Sequence, residues 1–458
     1  DPLAAEAFEA DKTKNNQGIN VIIGNPPYNV NSYNTGNWIM SLMGDYKKEP
    51  GGVVHLQERN PKALNDDYVK FIRYAEEIIS KSNKGIVTLI TPHGFLDNIT
   101  FRGMRWRLLN SFNQIYILNL HGNANKHERC PDGSKDENVF DIKQGVSIAF
   151  LVKNNLYKKD NIKYFDLFGL RDQKYNWLKH HMINDINIDI KEIDQNHFFL
   201  LPKNFIGSSS YNQGFSINGL FSVNSVGITT ARDEFCVEYS KNKLIDNINL
   251  FISKDEEENR EYFSLRKDTR DWKIKYAKKD ILSHVTENTI NQLNISSYSY
   301  RPFDKRYVFY TGITKGIHSM PRGNVMNNIY KHNNISLIIN KTVKTDSFNH
   351  IFCSDQLIDL HILETANANA YVMPLYLYNK ELGKTISTPN LKPEIVVEIS
   401  KKLGLPFAPD SDGGVTESFA PIDFLDYIYA VLHSPKYRET YKEFLKIDFP
   451  RVPYPTDK

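Results

Sequence analysis

A short apolar run, Ile19 to Gly24, leads straight into Asn25-Pro26-Pro27-Tyr28. A run of this length suits a strand buried in a sheet that is covered on both faces. The two prolines fix φ and remove two backbone donors, so the strand must end there and the chain must leave it in a set direction. A polar loop rich in Gly and Asn then extends to about residue 63. Val69, Ile72, Ala75 and Ile79 recur at helical spacing between Asp66 and Ser80. Further strands are predicted at Ile86–Ile90, Gln114–Leu120 and Val146–Val152, with a helix at about 101–111. Strands alternating with helices predict βαβ units and a parallel sheet, an α/β fold.

The pattern changes after Lys153. At 458 residues the chain exceeds what one core usually supports. The reading divides it into an α/β domain at 1–155 and a polar connector at 156–215. A mixed α+β domain comes next at 216–375, with short β-like runs and charge clusters. A helical C-terminal segment spans 376–458, its helices clearest from about 390. There is no internal repeat.

The Asn-Pro-Pro-Tyr junction fits one kind of chemistry well. The exocyclic amine of adenine is a poor nucleophile because its lone pair is delocalised into the ring. To make it react, a site must hold both amino hydrogens on acceptors that do not take a full proton. The side-chain oxygen of Asn25 and the carbonyl of Pro26 are such acceptors, and Pro27 stiffens the loop. Tyr28 offers a flat face for the base. Inside a duplex the amine is inaccessible, so the base must first be flipped out. A strand-to-loop junction is also where open α/β sheets place their ligands.

Asn25-Pro26-Pro27-Tyr28 after a strand resembles motif IV of amino-methyltransferases that use S-adenosylmethionine. That motif is shared with enzymes acting on protein glutamine or RNA guanine. Further stretches narrow the resemblance: Asn119-Leu120-His121-Gly122-Asn123, Gly145 to Lys153, Val226 to Asp233, Tyr300-Arg301-Pro302-Phe303-Asp304-Lys305-Arg306, and Tyr427 to Pro435. Together they are similar to the single-polypeptide, Type I-like (Type ISP) restriction-modification enzymes, over nearly the whole chain. The resemblance implies a partial Rossmann-like methyltransferase sheet followed by a target-recognition domain. It implies methyl transfer from S-adenosylmethionine to adenine N6 in double-stranded DNA. Upstream nuclease and helicase-like domains of the same polypeptide are implied as partners. No F-x-G-x-G-type loop precedes the first strand and no Walker A loop is visible, so the alternative is a DNA-specificity fragment without activity of its own.

The resemblance assigns cofactor contacts to Asn25 and Asp66, but a helix N-cap is the better reading of Asp66. Phe140, just before the 146–152 strand, is a second candidate for stacking on the base. Residues 301–350 carry eight lysines and arginines against two acids, a net +6, against +3 for the whole chain. Tyrosines and asparagines are interleaved there. Phosphates call for Lys and Arg, and base edges for Arg, Asn and Gln, so this segment is the best DNA-facing stretch. Its candidates are Arg301, Lys305, Arg306, Lys315, Arg322 and Lys341, with Arg232 as an outlying one. Some of these arginines are expected in ion pairs, with Asp233 and Asp304. Arg102, Arg105 and Arg107 form either a phosphate path or a solvated helix face.

Cys130, Cys236 and Cys353 are scattered, which argues against a disulfide scaffold and for a cytoplasmic setting. His127, Glu128 and Cys130 read as a polar loop and no metal site is expected. No apolar run approaches the ~18 residues of a membrane span.

Overall fold

The structure is a computed structural model. It describes residues 2–456 except 17–18, 57–60, 83, 155–160, 187, 191–192, 204, 206, 287–288, 291–293, 344–347, 364–368, 382, 411–412 and 415–416. Lys344 and Asp346, two of the charges counted in the basic segment, lie outside the described residues. The chain divides into two compact units, Asp1–Lys203 and Asn204–Lys458.

The first unit begins with helix α1 (Pro2–Asn16), exposed over residues 2–12. A six-stranded sheet comes after it, in the order β1 (Val21–Gly24), β2 (Lys84–Pro92), β4 (Val146–Asn154), β3 (Gln114–His121), β5 (Asn161–Asp166) and β6 (Ile188–Asp189). The pairs β1–β2 and β3–β5 are parallel, as the alternation of elements predicts. The predicted fourth strand departs from this. β4 runs antiparallel and lies between β2 and β3. The reason is its connection, since only a single 3-10 turn at Ala124–Lys126, and no α-helix, lies between β3 and β4 to carry the chain back across the sheet. Helices α2 (Asn37–Met43), α3 (Asp67–Ser80) and α4 (Arg102–Ser111) build the layer over one face, and α5 (Arg171–His180) comes after β5. Residues 156–215, read from sequence as a connector, hold β5, α5 and β6. Their polar composition hid a strand at the far side of the sheet, where Ile162 and Tyr164 are buried and Lys163 between them is only half-covered.

The face of α3 shows how polar residues enter a core. Val69, Ile72, Ala75 and Ile79 are buried as predicted, but so are Lys70, Arg73 and Glu76. Each is paired: Tyr46 Oη donates to Glu76 Oε2 at 2.9 Å, and Arg73 Nη2 bonds Asp45 and Glu77 at 3.1 Å each. Buried charges persist only with such partners.

The second unit holds two four-stranded sheets. One has the order β16 (Leu357–Ile358), β12 (Ile295–Arg301), β13 (Asp304–Phe309), β9 (Val237–Glu238); the other is β15 (Ile351–Ser354), β14 (Ser336–Asn340), β17 (Ala370–Pro374), β8 (Ser225–Val226). Two-stranded pairs complete it: β10 (Val285–Thr286) with β11 (Thr289–Ile290), β18 (Tyr376–Glu381) with β19 (Lys384–Pro389), and β20 (Arg451–Val452) with β7 (Phe215–Ser216). The start of the segment read as helical, 376–389, is thus a hairpin, and helices begin at Pro393. The helices at 421–433 and 442–445 share one apolar core with Leu337, Ile339 and Phe215. The C-terminal segment is therefore part of this unit's body. No helix among the described residues is long and apolar enough to cross a membrane.

Candidate active site and nucleic-acid interface

The Asn25–Tyr28 loop leaves the C-terminal end of β1, where Gly24 pairs with Leu89 of β2. Asn25 and Pro27 are exposed, Pro26 is buried and Tyr28 is half-buried. Tyr28 Oη lies 3.0 Å from Asn25 Oδ1 and 3.0 Å from the carbonyl of Ile90, so its one proton is shared between two acceptors. Burial pushes this phenol up to about 12, which keeps it a donor at any physiological pH. Its ring meets Tyr68 edge-on at 6.4 Å.

The loop beyond Tyr28 is fastened to α3. Asp66 stands at the N-cap position of α3 but makes no side-chain capping bond. Its Oδ1 accepts from the amide of Asn29 at 2.8 Å instead. Burial holds the Asp66 carboxyl above its ordinary value. Lys70 Nζ donates to Ser32 Oγ at 2.7 Å and to the carbonyl of Asn34.

Phe140 lines an open cavity of about 760 Å³ with Asn123, Glu128, Asn138 and Arg171. It is half-buried and borders the same apolar cluster as Tyr28, built on Leu118, Leu120, Val139 and Val146. The two aromatic candidates, 112 positions apart, therefore meet one patch at one end of the sheet. A buried ion pair fixes the segment before Phe140. Lys174 Nζ lies 2.7 Å from Asp136 Oδ1, both side chains fully buried, and also donates to the carbonyls of Leu120 and Glu137. Asp136 in turn accepts the amides of Gly122 and Gly169. Gly122 has φ +78, and a Cβ there would lie 2.4 Å from Asn138 Cα, so only glycine fits this crossing.

Sequence reasoning missed a polar network at the ends of β2 and β3. His93 Nδ1 donates to Asn119 Oδ1 at 3.0 Å and its Nε2 accepts from Asn123 Nδ2 at 3.1 Å, a neutral ring that burial pushes down. His121 is its opposite. Its Nδ1 meets Glu128 at 2.7 Å and its Nε2 meets Asp166 at 2.6 Å. Burial opposes its charge, but the bonds to Asp166 and Glu128 outweigh it and hold the ring above its ordinary value. Burial likewise opposes the Glu128 charge; the His121 bond prevails and lowers it to about 2. His93, His121 and Glu128 bring ligand atoms within 4.8 Å of one another. Every ring nitrogen there already bonds a protein partner, so hydrogen bonds close the cluster. Glu128 pairs with His121, not with its sequence neighbour His127. The stretch Asn119 to Asn123 held the signal, but it stood out only by its resemblance and not by any spacing that would pair these side chains.

The basic candidates separate into braces and exposed cations. Arg232 is almost fully buried; it donates to the carbonyls of Ala231, Arg266 and Lys267 and lies over the ring of Trp272 at 4.6 Å. It is not paired with Asp233, which accepts from Thr230 and Tyr300. Arg301 bonds Asp359 at 2.8 Å, and Arg306 bonds both oxygens of Asp304. Lys341 makes a surface pair with Asp448 at 3.5 Å. Arg322 is half-buried at the start of the short helix 323–326, with φ +57. Lys305 and Lys315 are exposed. Arg102, Arg105 and Arg107 are not a solvated face. Arg102 pairs with Glu49, Arg107 with Glu76, and Arg105 is buried on the carbonyls of Phe95, Asn98 and His197.

Similarity to known proteins respects the division into units. Residues 3–125 match the Eco57I restriction-modification methylases, and residues 219–458 match the Type ISP C-terminal specificity domain. Among solved structures the chain is similar to a DrdV–DNA complex determined by cryo-EM (24% identity, TM-score 0.66, 98% of this chain and 44% of that one). It is similar to the ATP-dependent Type ISP enzyme LlaBIII bound to DNA (23%, 0.66, 98% and 29%). A nuclease-deletion mutant of the Type ISP enzyme LlaGI with a DNA substrate mimic gives 22%, 0.62, 98% and 41%. The fold is shared with these structures, and the chain spans less than half the length of each. No curated protein matches.

Proposed function

Because the chain belongs to the family of the Type ISP C-terminal specificity domain, joined to a stretch that matches restriction-modification methylases, we propose that it is the methyl-transferring and target-reading part of a restriction-modification enzyme. The reaction is methylation of adenine N6 in duplex DNA. The observation that carries this reading is the exposed Asn25 at the open end of the sheet, with Tyr28 and Phe140 on one apolar patch beside it.

In this reading the flipped adenine lies against Tyr28 and Phe140. Asn25 Oδ1 and the Pro26 carbonyl accept the two amino hydrogens, which turns the nitrogen lone pair away from the ring. As the new N–C bond forms, the donor's S–C bond would break and release a neutral thioether, and the surplus N6 proton would pass to water, since neither amide oxygen takes a full proton. No covalent enzyme intermediate is needed, and positioning dominates the rate. Pro27 holds the loop, and Asp66 holds it through Asn29.

S-adenosylmethionine would supply the methyl group as an electrophile. The residues present fit one side of such a donor. Asn25 lies at the end of β1, and Val21 and Ile23 on that strand are 59% and 78% exposed, an apolar edge ready to be covered by upstream structure. Asp66 is buried and bonded to Asn29, so its part is to position the loop.

Duplex DNA is the proposed substrate, with Lys305 and Lys315 as exposed cations for phosphates and the braced arginines shaping the surface. The test is transfer of labelled methyl to adenine in mixed-sequence duplex DNA, with the chain joined to its upstream segments. Asn25→Ala should lower transfer about 10³-fold, the scale of losing one well-placed acceptor or donor, and leave most DNA affinity. Equal activity in that variant would overturn the assignment. A second reading, a specificity module without transfer, is favoured by the match of residues 219–458 to a specificity domain; specific DNA binding without label in the full enzyme would support it.

A further inference from the structure

The β12–β13 hairpin ends in a two-residue turn, Pro302-Phe303, between the paired Arg301 and Asp304. Phe303 has φ +64, a region that bulky side chains enter only under strain. It is 91% exposed. A strained backbone that presents a large apolar ring to water is costly twice over, and such strain collects at functional positions.

The stem beneath the tip is rigid. The guanidinium groups of Arg301 and Arg306 lie 4.0 and 3.8 Å from the centre of the Tyr300 ring. Arg301 is tied to Asp359, Arg306 to Asp304 and to the hydroxyl of Tyr239, and Tyr300 Oη donates to Asp233 at 2.8 Å. These groups brace the hairpin, and the ring at its end is left to make contact. Phe352 touches Phe303 edge-on at 5.6 Å and steadies it without covering it. Around the stem stand the exposed Lys305, Tyr239 and Lys241, the last over the ring of Tyr307.

We propose that Phe303 is an apolar wedge that enters the base stack of duplex DNA. Charge decides the occupant: Arg301 and Arg306 are neutralised by Asp359 and Asp304, but the exposed Lys305 and Lys241 stand beside the stem, which suits a polyanion, and an apolar side chain levered between base pairs unstacks and kinks the duplex. The inference rests on the DNA-binding reading above and adds a contact that reads deformability, not base edges.

The test uses the full chain and a duplex selected by it from a random-sequence pool, labelled at both ends for energy transfer. The unmodified protein is expected to shorten the end-to-end distance. Phe303→Ala should abolish the shortening and weaken binding about 10- to 100-fold, the scale of one lost stacking contact. Phe303→Leu should keep most of both. Binding within twofold and an unchanged kink in Phe303→Ala overturn the wedge while the DNA reading stands. Retention of no duplex by the unmodified chain overturns both together.

Discussion

Tyr28 donates its hydroxyl proton to the side-chain oxygen of Asn25 across 3.0 Å, and the Ile90 carbonyl competes for it at the same distance. The oxygen proposed to receive the adenine amine is therefore held in place before any base arrives. When the amine takes that position, the phenol still has Ile90 to bond. Tyr28→Phe should keep the stacking face but lose this hold, lowering single-turnover methyl transfer about tenfold, a cost on the order of one hydrogen bond. Tyr28→Ala should lose far more. Equal rates in Tyr28→Phe and the unmodified enzyme would show that the bond plays no part.

Lys174 and Asp136 place a fully buried charge pair under the segment that carries Phe140. Lys174→Met leaves the Asp136 carboxylate uncompensated. Removing one partner of a buried pair costs about 3–5 kcal/mol. Urea titration should show the transition of the first unit moved to lower denaturant, with that of the second unchanged.

His121 makes the stability of the first unit depend on pH in two directions. Glu128 is depressed in the folded state, so its contribution is present above the ordinary carboxylate value of 4.5 and is lost as pH falls toward about 2. His121 is raised, so its contribution is full below the ordinary value of 6.5 and is lost as pH climbs through the higher folded value. Both are complete only between about 4.5 and 6.5. His121→Gln should flatten the stability profile above pH 6.5. A profile of unaltered shape would show that the pair does not couple to folding.

Arg232 and Lys315 differ in kind despite belonging to one basic set. Arg232→Met should lower stability by about 2–4 kcal/mol, because three carbonyls lose their donors. The logarithmic salt slope of DNA binding should stay unchanged. Lys315→Ala should do the reverse, reducing the slope by about one with no loss of stability. Identical slopes in the two variants would remove Lys315 from the interface.

The legible parts of the sequence were those with periodicity or a motif. The strand before Asn25, the helix at Asp67–Ser80 and the chain order of the first four strands came from apolar spacing alone. The direction of β4 did not, because strand pairing depends on the connection and not on the strand's own residues. Charge was the least legible quantity. Arg232, Arg301 and Arg306 look alike as letters, yet carbonyls, carboxylates and aromatic rings far along the chain decide whether each faces water. His121 was hidden for the same reason: its partners Glu128 and Asp166 lie in a loop and on a different strand. The exposure of Phe303 was equally hidden, because apolar residues flanked by charges usually point inward.

The insertion of β4 between β2 and β3 sets an order of assembly. Residues 146–154 leave the ribosome after both of their neighbours, so β2 and β3 must wait for a strand not yet made. Until then Asn25 sits on an open sheet, without the patch that Phe140 and Val146 complete. Pairings of high sequence separation form late. The nascent chain thus completes its proposed reactive end only after β4 has emerged, and a product truncated before β4 would carry the Asn-Pro-Pro-Tyr loop without the apolar patch that Val146 helps to build.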